Sequence, residues 1–578
     1  METKGYILGI SAFYHDSSAC LIRNNEIICA IQEERISRKK QDDRLPVKAV
    51  AVCLEQAGIQ IEDIELVVFY EKPFLKFERV IETYVQTAPM GFLAFRKAVK
   101  SWMGEKLWIP SIIKKKLKYK GEVWFVNHHE AHAASSCFTA PFSKCAFLTI
   151  DAVGEKSCTS YGTFDNGILE TKGVQNYPHS IGYLYSAFTQ YCGFKVNSGE
   201  YKLMGLAPFG EPKYVDLIKS EIVDVREDGT IELHMDKFHF HKGLKMINRA
   251  FADVFETAAR KPESEINQFY KDVASSIQKV VEEIILNLVQ HVKSQTGEEN
   301  LCLAGGVALN CTANGVFSRA GIFKNIWIQP ACGDAGGSLG AAALANFKQY
   351  GVSNLSFEDS YHGKEFTESE MITALNQLEI IYRKEAPEEV RNEVTKLLTE
   401  GKIIGWYQGR DEWGARALGN RSIIASPAFA DMKSRINLAI KKREGFRPFA
   451  PVVLEDDYSN WFHGEGSNEY MQYTVQAQQQ DLIPACVHVD GTSRVQTLNE
   501  SQNQPMYRLL SSFKKETGIP MLINTSFNER GEPMVHSPED AIRTFFNTGL
   551  DALVLGNLIV LKDQNQHISI KSKKYELD

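Results

Sequence analysis

Two segments of the chain repeat one order of apolar runs and polar turns, and this repeat restricts the fold more than any other feature. Residues 6–31 contain three apolar runs, separated by the polar stretch His15–Ser18 and then by an Asn-Asn turn. Residues 146–169 follow the same order, with a first run ending at Asp151 and a later Asn-Gly turn. Asn-Gly between alternating segments is a strong β-hairpin signal. We therefore predict a duplicated α/β domain with a cleft between its halves, and two unrelated hairpins stay open as the alternative.

The part of the chain after the second repeat alternates helices with short strands. Residues 267–293 predict a long amphipathic helix, because apolar residues recur at three- and four-residue steps. Apolar strands are predicted at 301–306 and 326–329, and a glycine-rich stretch leads from each strand region into a helix. This alternation favours a parallel or mixed sheet that is covered on both faces.

A second domain is predicted in the last third of the chain. The periodicity fades from about residue 350 to 385, so we expect a linker there. The first domain, the second domain and a polar tail are then placed at 1–355, 385–565 and 566–578. Within the second domain the pattern predicts a helix, a strand and one last strand at 387–400, 402–409 and 551–561.

The composition excludes several classes of protein. Apolar residues make up 44% and charged residues 24%, as in ordinary globular proteins, so disordered and collagen-like chains are excluded. The formal net charge of -7 argues against a protein that coats nucleic acid. The 11 cysteines contain no C-x-x-C pair, which favours a reducing compartment over a disulfide framework or a four-cysteine zinc site. The N-terminal segment lacks the apolar core of a signal peptide, and no apolar run has membrane-spanning length. We therefore expect a cytoplasmic protein with no nucleic-acid partner and no membrane partner.

One segment departs from this acidic balance. Residues 96–120 contain nine Lys or Arg residues and one Glu, interleaved with Trp102 and Trp108. We expect a solvated helical face, which could also attract anionic substrates into a nearby cleft. Contact with nucleic acid or with a membrane is the alternative for such a basic aromatic stretch.

The motif NHHEAH is the sharpest local signal of chemistry. His128 and His132 stand four residues apart, so on a helix both rings lie on one face and suit a divalent cation. The motif is not H-E-x-x-H, because Ala133 occupies the position of the second histidine of zinc metalloproteases. Asp151 and Asp334 can complete the set, since strand ends and glycine-rich turns reach the cleft above a sheet. Two imidazoles with carboxylates suit iron, manganese or zinc. A hydrogen-bonded histidine pair, and turn or N-cap roles for the aspartates, stay open.

Two glycine-rich stretches each follow a strand and open a helix. They are AGGVALN at 304–310 and CGDAGGSLGAA at 332–342. Glycine lets the backbone approach a phosphate or an adenosine, and the helix N-terminus then faces the anion. Neither stretch is a P-loop, and tight turns or close helix packing would also explain the glycines. Together with the repeated hairpin, the two stretches resemble the ATP cleft of the actin, sugar-kinase and chaperone type.

Basic residues are dense at turns in the C-terminal domain. Arginine binds phosphate and carboxylate groups with two parallel hydrogen bonds, and lysine offers a point charge, so the pattern predicts a site for a small, multiply anionic ligand. Ser526 directly follows an apolar strand in this region. Surface ion pairs with Asp411, Glu412 and Glu444 are the alternative. The basic residues are Arg410, Arg416, Arg421, Lys441, Lys442, Arg443, Arg447 and Arg494.

Nine long motifs, in order from about residue 6 to 560, resemble the O-carbamoyltransferases of antibiotic and nodulation-factor synthesis. They are ILGISAFYHDSSACLIRNNEI, QEERISRKKQDDRLP, VNHHEAHAASSCF, YKLMGLAPFGEP, LAGGVALNCTANG, GDAGGSLGAA, WGARALGNRSI, KKREGFRPFAPVVL and NTSFNERGEPMV. The resemblance implies an N-terminal duplicated actin-like and sugar-kinase-like (ASKHA) domain and a C-terminal YrdC-like α/β domain. No motif of this kind covers residues 70–120, which leaves the acceptor undetermined.

The resemblance also implies a reaction in two parts. The C-terminal domain makes carbamoyl adenylate from carbamoyl phosphate and ATP, with Mg²⁺ accompanying the ATP. The N-terminal domain is similar to the universal tRNA threonylcarbamoyl transferase. It passes the carbamoyl group to a hydroxyl of a small natural product beside a divalent metal, which is Fe(II) or alternatively Mn or Zn. Whether the chain forms a homodimer stays open.

Residue roles follow from the same motifs. The implied metal ligands are His128, His132, Asp151 and Asp334. The implied catalytic residues, with the histidine as base or transition-state partner, are His15 and Asp16. Contacts to carbamoyl phosphate and nucleotide are implied for Arg416, Lys441, Arg447, Arg494 and Ser526. Contacts of the N-terminal domain to ATP or adenylate are implied for Gly305, Gly306, Asn310 and Gly333.

Three other functions stay open at this point. A tRNA-modifying enzyme would share the N-terminal chemistry, but the second domain and the net charge of -7 argue for a small acceptor. A small-molecule kinase on the same fold would release ADP rather than AMP and pyrophosphate. A non-catalytic ATP-gated chaperone would need neither metal ligands nor a basic second site.

Overall fold

The structure is a computed structural model that describes residues 5–464, 467–571, 573 and 575. Residues 1–4 of the N-terminal segment, and residues 572, 574 and 576–578 of the predicted polar tail, lie outside the described residues. Within the described ranges, no helix combines the length and apolar character that crossing a bilayer requires.

The chain folds into two compact units. The first comprises Met1–Glu33 and Gln41–Phe357, and the second comprises Glu34–Lys40 and Glu358–Asp578. A short segment of the N-terminal sequence therefore belongs to the second unit, which local periodicity gave no reason to expect.

The first unit contains two five-stranded sheets with one common strand order. Its strands are β1 (Tyr6–Ser11), β2 (Ser18–Arg23), β3 (Glu26–Gln32), β4 (Ile64–Phe69), β5 (Glu122–Phe125), β6 (Lys144–Ile150), β7 (Ser157–Asp165), β8 (Ile168–Asn176), β9 (Val223–Val225), β10 (Ile231–Leu233), β11 (Asn300–Ala304) and β12 (Asn325–Trp327). The two five-stranded sheets have the orders β3-β2-β1-β4-β5 and β12-β11-β6-β7-β8, and β9 and β10 form a separate two-stranded sheet. In each sheet the first strand pairs antiparallel with the second and parallel with the fourth. This matched order confirms the mixed α/β class and the predicted duplication.

Helices cover these sheets. Helix α1 (Glu33–Ser37) lies almost wholly in the segment Glu34–Lys40 of the second unit. The helices of the first unit are α2 (Val47–Ala57), α3 (Pro73–Thr87), α4 (Phe92–Gly104), α5 (Ile109–Leu117), α6 (His128–Cys137), α7 (Ile181–Tyr191), α8 (Glu200–Leu206), α9 (Val215–Glu221), α10 (Arg249–Asp253), α11 (Gln268–Thr296), α12 (Cys311–Arg319) and α13 (Gly336–Tyr350). The predicted long helix is confirmed as α11, which Asn267 caps and whose apolar stripe is buried. Each fully buried aliphatic side chain on it contributes about 1.5–3 kcal/mol of burial free energy.

Helix α13 fixes the position of α6. Its first half is built of small residues, and a Cβ at Gly340 would overlap the carbonyl oxygen of Ala131 in α6. The two helix backbones therefore touch, which only glycine at this position allows. The contact places the start of α6 beside the turn that leads into α13.

The second unit is built on an eight-stranded sheet. Its strands are β13 (Arg383–Lys384), β14 (Ile404–Tyr407), β15 (Arg421–Ala425), β16 (Ala450–Leu454), β17 (Val475–Gln476), β18 (Thr492–Ser493), β19 (Gln496–Leu498), β20 (Met521–Ser526), β21 (Ala552–Leu555) and β22 (Leu558–Leu561). The order of the eight-stranded sheet is β13-β22-β21-β14-β15-β20-β16-β19, and β17 and β18 form a separate two-stranded sheet. The helices are α14 (Glu368–Asn376), α15 (Pro387–Thr399), α16 (Met432–Arg435), α17 (Tyr458–Trp461), α18 (Gln504–Thr517) and α19 (Pro538–Asn547). Helices α15 and α18 pack into one apolar core of this unit and α14 and α19 into the other.

Two predictions for this region are wrong. The expected linker at 350–385 contains α14, whose Met371 and Leu375 are buried in the core of the second unit. Its apolar residues are too few for the pattern to stand out from the surrounding polar sequence. The expected single last strand at 551–561 is the hairpin β21–β22, because Gly556 takes a φ of 57° and reverses the chain.

Candidate functional site

Four side chains predicted as metal ligands converge in the first unit. The Nε2 atoms of His128 and His132 are 3.1 Å apart on one face of α6. Oδ2 of Asp151 lies 3.1 Å from Nε2 of His128, and Oδ1 of Asp334 lies 3.4 Å from Nε2 of His132. One such atom from each residue lies within 4.8 Å of all the others, and all four residues are buried.

The elements that carry these residues explain the convergence. Asp151 directly follows β6 and enters the first hairpin turn of the second repeat. Asp334 lies in the turn before α13, which the contact of α13 with α6 brings to the histidines. The carboxylate of Glu155 accepts the backbone N–H of His128 at 3.0 and 3.1 Å, and so holds the first turn of α6.

The donor set fits a divalent cation. Two imidazole nitrogens and two carboxylates suit a borderline metal ion such as iron, manganese or zinc. Without a cation, two carboxylates share a buried space with rings whose Nδ1 atoms have no hydrogen-bond partner. Burial raises the pKa of Asp334, but His15 and His132 outweigh it and lower that pKa to about 2.

His15 lies beside this cluster. Its Nε2 is 3.7 Å from Oδ2 of Asp334, and its Nδ1 is 3.0 Å from Oδ2 of Asp16. Burial lowers the pKa of His15, but the carboxylates of Asp334 and Asp16 raise it to about 10. His15 lies in the loop between β1 and β2, and Asp151 lies in the corresponding loop of the second repeat, between β6 and β7.

The two glycine-rich stretches meet at the same place. The backbone N–H of Gly305 donates to the carbonyl of Cys332 at 2.8 Å, which joins the stretches directly. The N–H of Gly306 donates to Oδ1 of Asp151 at 3.1 Å. A Cβ at Gly333 would have only Leu309 near it, at 3.9 Å, so the backbone there is open to a ligand.

Asn310 has a structural explanation. Its side chain caps α12 by accepting the N–H of Ala313 at 3.1 Å, and its amide pairs with that of Gln278. The predicted nucleotide contact of Asn310 stays a prediction beside this capping role.

Sequence reasoning missed the residues that surround the histidines. The carboxylate of Glu71 lies 3.9 Å from Nδ1 of His128 and 2.5 Å from Nζ of Lys76. Lys76 is itself buried, and its ammonium lies 5.0 Å from the centre of the Tyr14 ring. The sequence signal that could have found these residues is the polar stretch after β4, because residues that directly follow a buried strand lie at the edge of the sheet.

The second unit contains a buried lysine, Lys441. Nζ of Lys441 donates to Oγ of Ser526 at 3.2 Å and to Oδ1 of Asn528 at 2.7 Å. Burial, and then the nearby charges of Arg443 and Arg447, hold the pKa of Lys441 well below its ordinary value. Three of the predicted anion-binding residues, Lys441, Arg447 and Ser526, therefore share one neighbourhood.

The segment Glu34–Lys40 contributes to this neighbourhood. Arg38 holds it in place by donating to the carbonyls of Pro533 and Met534, and to the carboxylate of Glu532 at 2.8 Å. The charge of Lys40 then further lowers the pKa of Lys441. The sequence signal was the basic run SRKK, but nothing local indicated which unit it joins.

The remaining basic residues divide between loops and ion pairs. Arg416 is half-buried in the loop between β14 and β15, and Arg494 lies between β18 and β19 with a buried Nε that has no hydrogen-bond partner. Arg421 is fully buried and pairs with Asp411 at 2.7 Å, so it has the ion-pair partner that the alternative named, but in the interior of the unit and not at the surface. Arg410 donates to the carbonyls of His362 and Gly363, which is also a structural role.

Comparison with known proteins adds an independent observation. The family description "Carbamoyltransferase N-terminus" matches residues 6–343, and "Carbamoyltransferase C-terminus" matches residues 395–562. An uncharacterized protein of Synechocystis sp. is 44% identical over 99% of this chain and 100% of its own length. Nodulation protein NolNO of Sinorhizobium fredii is 34% identical over 96% of this chain and 80% of its own. The 3'-hydroxymethylcephem-O-carbamoyltransferase of Amycolatopsis lactamdurans is 34% identical over 44% of this chain and 48% of its own.

These matches cover nearly all of the sequence in two successive regions, and they confirm the resemblance drawn from the nine motifs. The chain belongs to the carbamoyltransferase family and is a transferase.

Proposed function

We propose that the protein is an O-carbamoyltransferase that acts in two steps on a hydroxyl of a small natural product. The second unit, YrdC-like in this proposal, forms carbamoyl adenylate from carbamoyl phosphate and Mg²⁺-ATP. The first unit, of the actin and sugar-kinase type, transfers the carbamoyl group. The observation that carries the proposal is the convergence of His128, His132, Asp151 and Asp334 beside His15 in a carbamoyltransferase.

The adenylation step needs a site for anions. Water first cleaves the phosphorus–oxygen bond of carbamoyl phosphate and gives carbamate and inorganic phosphate. A carbamate oxygen then attacks the α-phosphorus of ATP, and pyrophosphate leaves. Both substrates are multiply anionic, so the cationic neighbourhood of Lys441, Arg447 and Lys40 supports binding here. The buried Nε of Arg494 supplies a further donor of the kind that an anion would satisfy.

The transfer step needs a base and a polarised carbonyl. The acceptor oxygen attacks the carbamoyl carbon, the bond to the adenylate oxygen breaks, and AMP leaves with its negative charge. We assign His15 as the group that takes the hydroxyl proton, with Asp16 orienting its ring through Nδ1. The carboxylate of Asp334 is the largest charge that raises the pKa of His15, and a cation bound to Asp334 would offset that charge and leave the ring able to accept a proton. A divalent cation held by the two histidines and two aspartates would act as a Lewis acid toward carbonyl or phosphate oxygen. Gly305, Gly306 and Gly333 would present backbone to the adenylate.

The products distinguish this function from its alternatives. We expect the purified protein, given carbamoyl phosphate, ATP and an extract of small metabolites, to release AMP and pyrophosphate and to add one carbamoyl group to an acceptor. Chromatography of nucleotides and mass spectrometry of the extract measure both. Release of ADP would establish a kinase instead, and carbamoylated tRNA would establish the tRNA-modifying alternative.

A pair of glycine variants tests the nucleotide role of the first unit. Gly333→Ala has open space for its methyl group, so we expect a change in unfolding free energy within about 0.5 kcal/mol. Carbamoyl transfer should nevertheless fall at least about 10-fold, the equivalent of roughly 1.4 kcal/mol of lost contact. Release of pyrophosphate by the second unit should persist, with AMP then formed by hydrolysis of the untransferred carbamoyl adenylate. Thermal unfolding and the two product assays measure these effects.

Gly305→Ala is the matched structural variant. Gly305 has a φ of 93°, and a Cβ there would overlap the carbonyl oxygen of Ile150. We expect a destabilisation of at least about 1–3 kcal/mol from the strained backbone alone. A Gly333→Ala protein with wild-type transfer would contradict the assignment of Gly333 to the adenylate.

A further inference from the structure

The first unit carries an exposed surface that mixes apolar and basic side chains, and the proposed reaction does not use it. This surface, called the α4–α5 surface here, is formed by Phe92, Leu93, Arg96, Lys97, Lys100, Met103, Trp108, Lys114, Lys115 and Lys116. It covers most of the basic segment 96–120 that the sequence singled out.

Exposed apolar side chains are concentrated on and around this surface. Among the described residues, 18 large hydrophobic side chains are exposed, and nine of them fall between Phe74 and Trp108. Leu93 is 77% exposed, Met103 61% and Trp108 60%. Apolar patches of this kind on a folded protein mark an interaction site more often than isolated exposed residues do.

The basic residues of the surface have their charges uncompensated. Arg96, Lys97 and Lys100 on α4 are exposed, and so are the three lysines at 114–116 on α5. No ion pair in the described part of the chain involves any of these six cations. The chain as a whole has a net charge of -7, so this excess of positive charge is local to the segment that carries α4 and α5.

Apolar and basic residues share one face of α4. At about 100° per residue, Phe92, Leu93, Lys100 and Met103 fall within one exposed arc of the helix. Trp102 lies on the opposite, buried side and packs against Phe77 of α3 at 5.7 Å between ring centres. This is the arrangement of an amphipathic helix whose outer face is not needed for the fold.

A second contact on the inner side of α4 holds this helix against α3. The rings of Tyr84 in α3 and Phe95 in α4 stack with centres 4.0 Å apart and planes 6° apart. Lys106, the remaining cation between the two helices of the surface, is engaged inward and donates to the carbonyl of Phe13 at 2.6 Å. Substitutions of the exposed residues of α4 should therefore leave the packing of α4 against α3 intact.

The mixture of apolar and basic side chains on the α4–α5 surface indicates what kind of partner binds it. A second copy of the chain meeting the same face would bring six cations against six, which disfavours a symmetric dimer. A nucleic acid would neutralise the cations but would leave Leu93 and Met103 in water. An anionic bilayer satisfies both sets, since apolar side chains enter the acyl boundary while lysine and arginine reach the headgroups.

We propose that the α4–α5 surface binds the anionic surface of a lipid bilayer. This departs from the expectation, drawn from composition, that the protein has no membrane partner. The inference concerns peripheral binding only, and it holds whether or not the proposed carbamoyl transfer is correct.

Vesicle sedimentation tests the proposal on the full chain. We expect the protein to sediment with vesicles of phosphatidylcholine and phosphatidylserine in equal proportion, and not with phosphatidylcholine alone. Raising the salt concentration should release it, because the electrostatic part of binding is screened. Failure to bind the mixed vesicles would overturn the proposal.

Two triple variants test the electrostatic contribution of the lysines to vesicle binding. Lys114→Gln/Lys115→Gln/Lys116→Gln should lower the partition coefficient by about 100-fold, since each lysine near an anionic surface contributes about five-fold. The matched control replaces three exposed lysines elsewhere on the unit, Lys172→Gln/Lys261→Gln/Lys324→Gln, and should bind as the wild type does. Equal losses in both triple variants would contradict a specific surface.

The apolar contribution has its own variant and control. Phe92→Ser/Leu93→Ser should abolish most binding to the mixed vesicles at low salt, whereas Ile168→Ser, which is 63% exposed on another element, should not. Circular dichroism melting confirms that each variant is folded. Binding to RNA or duplex DNA that the Phe92→Ser/Leu93→Ser change leaves intact would establish a nucleic-acid surface instead, and a dimer disrupted by this change would establish a self-association surface.

Discussion

Replacing His132 by alanine is expected to abolish metal retention and carbamoyl transfer. Release of pyrophosphate from ATP in the presence of carbamoyl phosphate, with AMP formed by hydrolysis of the untransferred carbamoyl adenylate, should stay intact. Nε2 of His132 lies 3.1 Å from that of His128 and 3.4 Å from Asp334, so its loss removes one donor and separates the rest. Mutation of a group that only hydrogen-bonds to a metal ligand lowers metal affinity or activity about 10–100-fold. Loss of a ligand itself should therefore lower metal affinity and transfer by more than this. Metal analysis of the purified variant and the two product assays measure the result.

The control for this variant is His234→Ala, in the same unit but away from the cluster. His234 is paired with Asp224 at 3.2 Å near the surface, so both product assays should match the wild type. His132→Gln provides a second variant that fills more of the buried space. A His132→Ala protein that retains stoichiometric metal, or that loses AMP formation together with transfer, would contradict the assignment.

Much of this cluster followed from local sequence because its determinants are local. The spacing of His128 and His132 fixes both rings on one face of any helix, and α6 is that helix. Asp151 could be placed at a strand end because β6 is an uninterrupted apolar run. The duplication was readable for the same reason, since each copy of the hairpin lies within about thirty residues of sequence.

The parts that could not be predicted depend on contacts between distant residues. Arg38 and Lys40 join the second unit through Glu532, Pro533 and Lys441, about 400–500 residues away. A run of seven residues is too short for its pattern to predict a partner so far away in the sequence. Glu155 was missed likewise, because its contact with the N–H of His128 appears only when β7 packs beside α6.

The separation of roles between the two units rests on a second variant. Arg447→Ala is expected to lower AMP formation by roughly 10–100-fold, the equivalent of about 1.5–3 kcal/mol for a charged hydrogen bond. The side chain of Arg447 is 16% exposed, and its charge acts on Lys441, the buried cation of the same neighbourhood. Metal content should equal that of the wild type, because the four candidate ligands belong to the first unit.

The control for Arg447 is Arg508→Ala, which removes an exposed arginine paired with Glu500 at 3.5 Å in the same unit. It should leave AMP formation, metal content and transfer unchanged, because a surface pair contributes little. Transfer from chemically prepared carbamoyl adenylate then decides the order of the steps. If Arg447→Ala accepts the prepared adenylate and His132→Ala does not, adenylation and transfer are separate events in separate units. If both variants accept it, the buried histidine and aspartate cluster serves some purpose other than transfer.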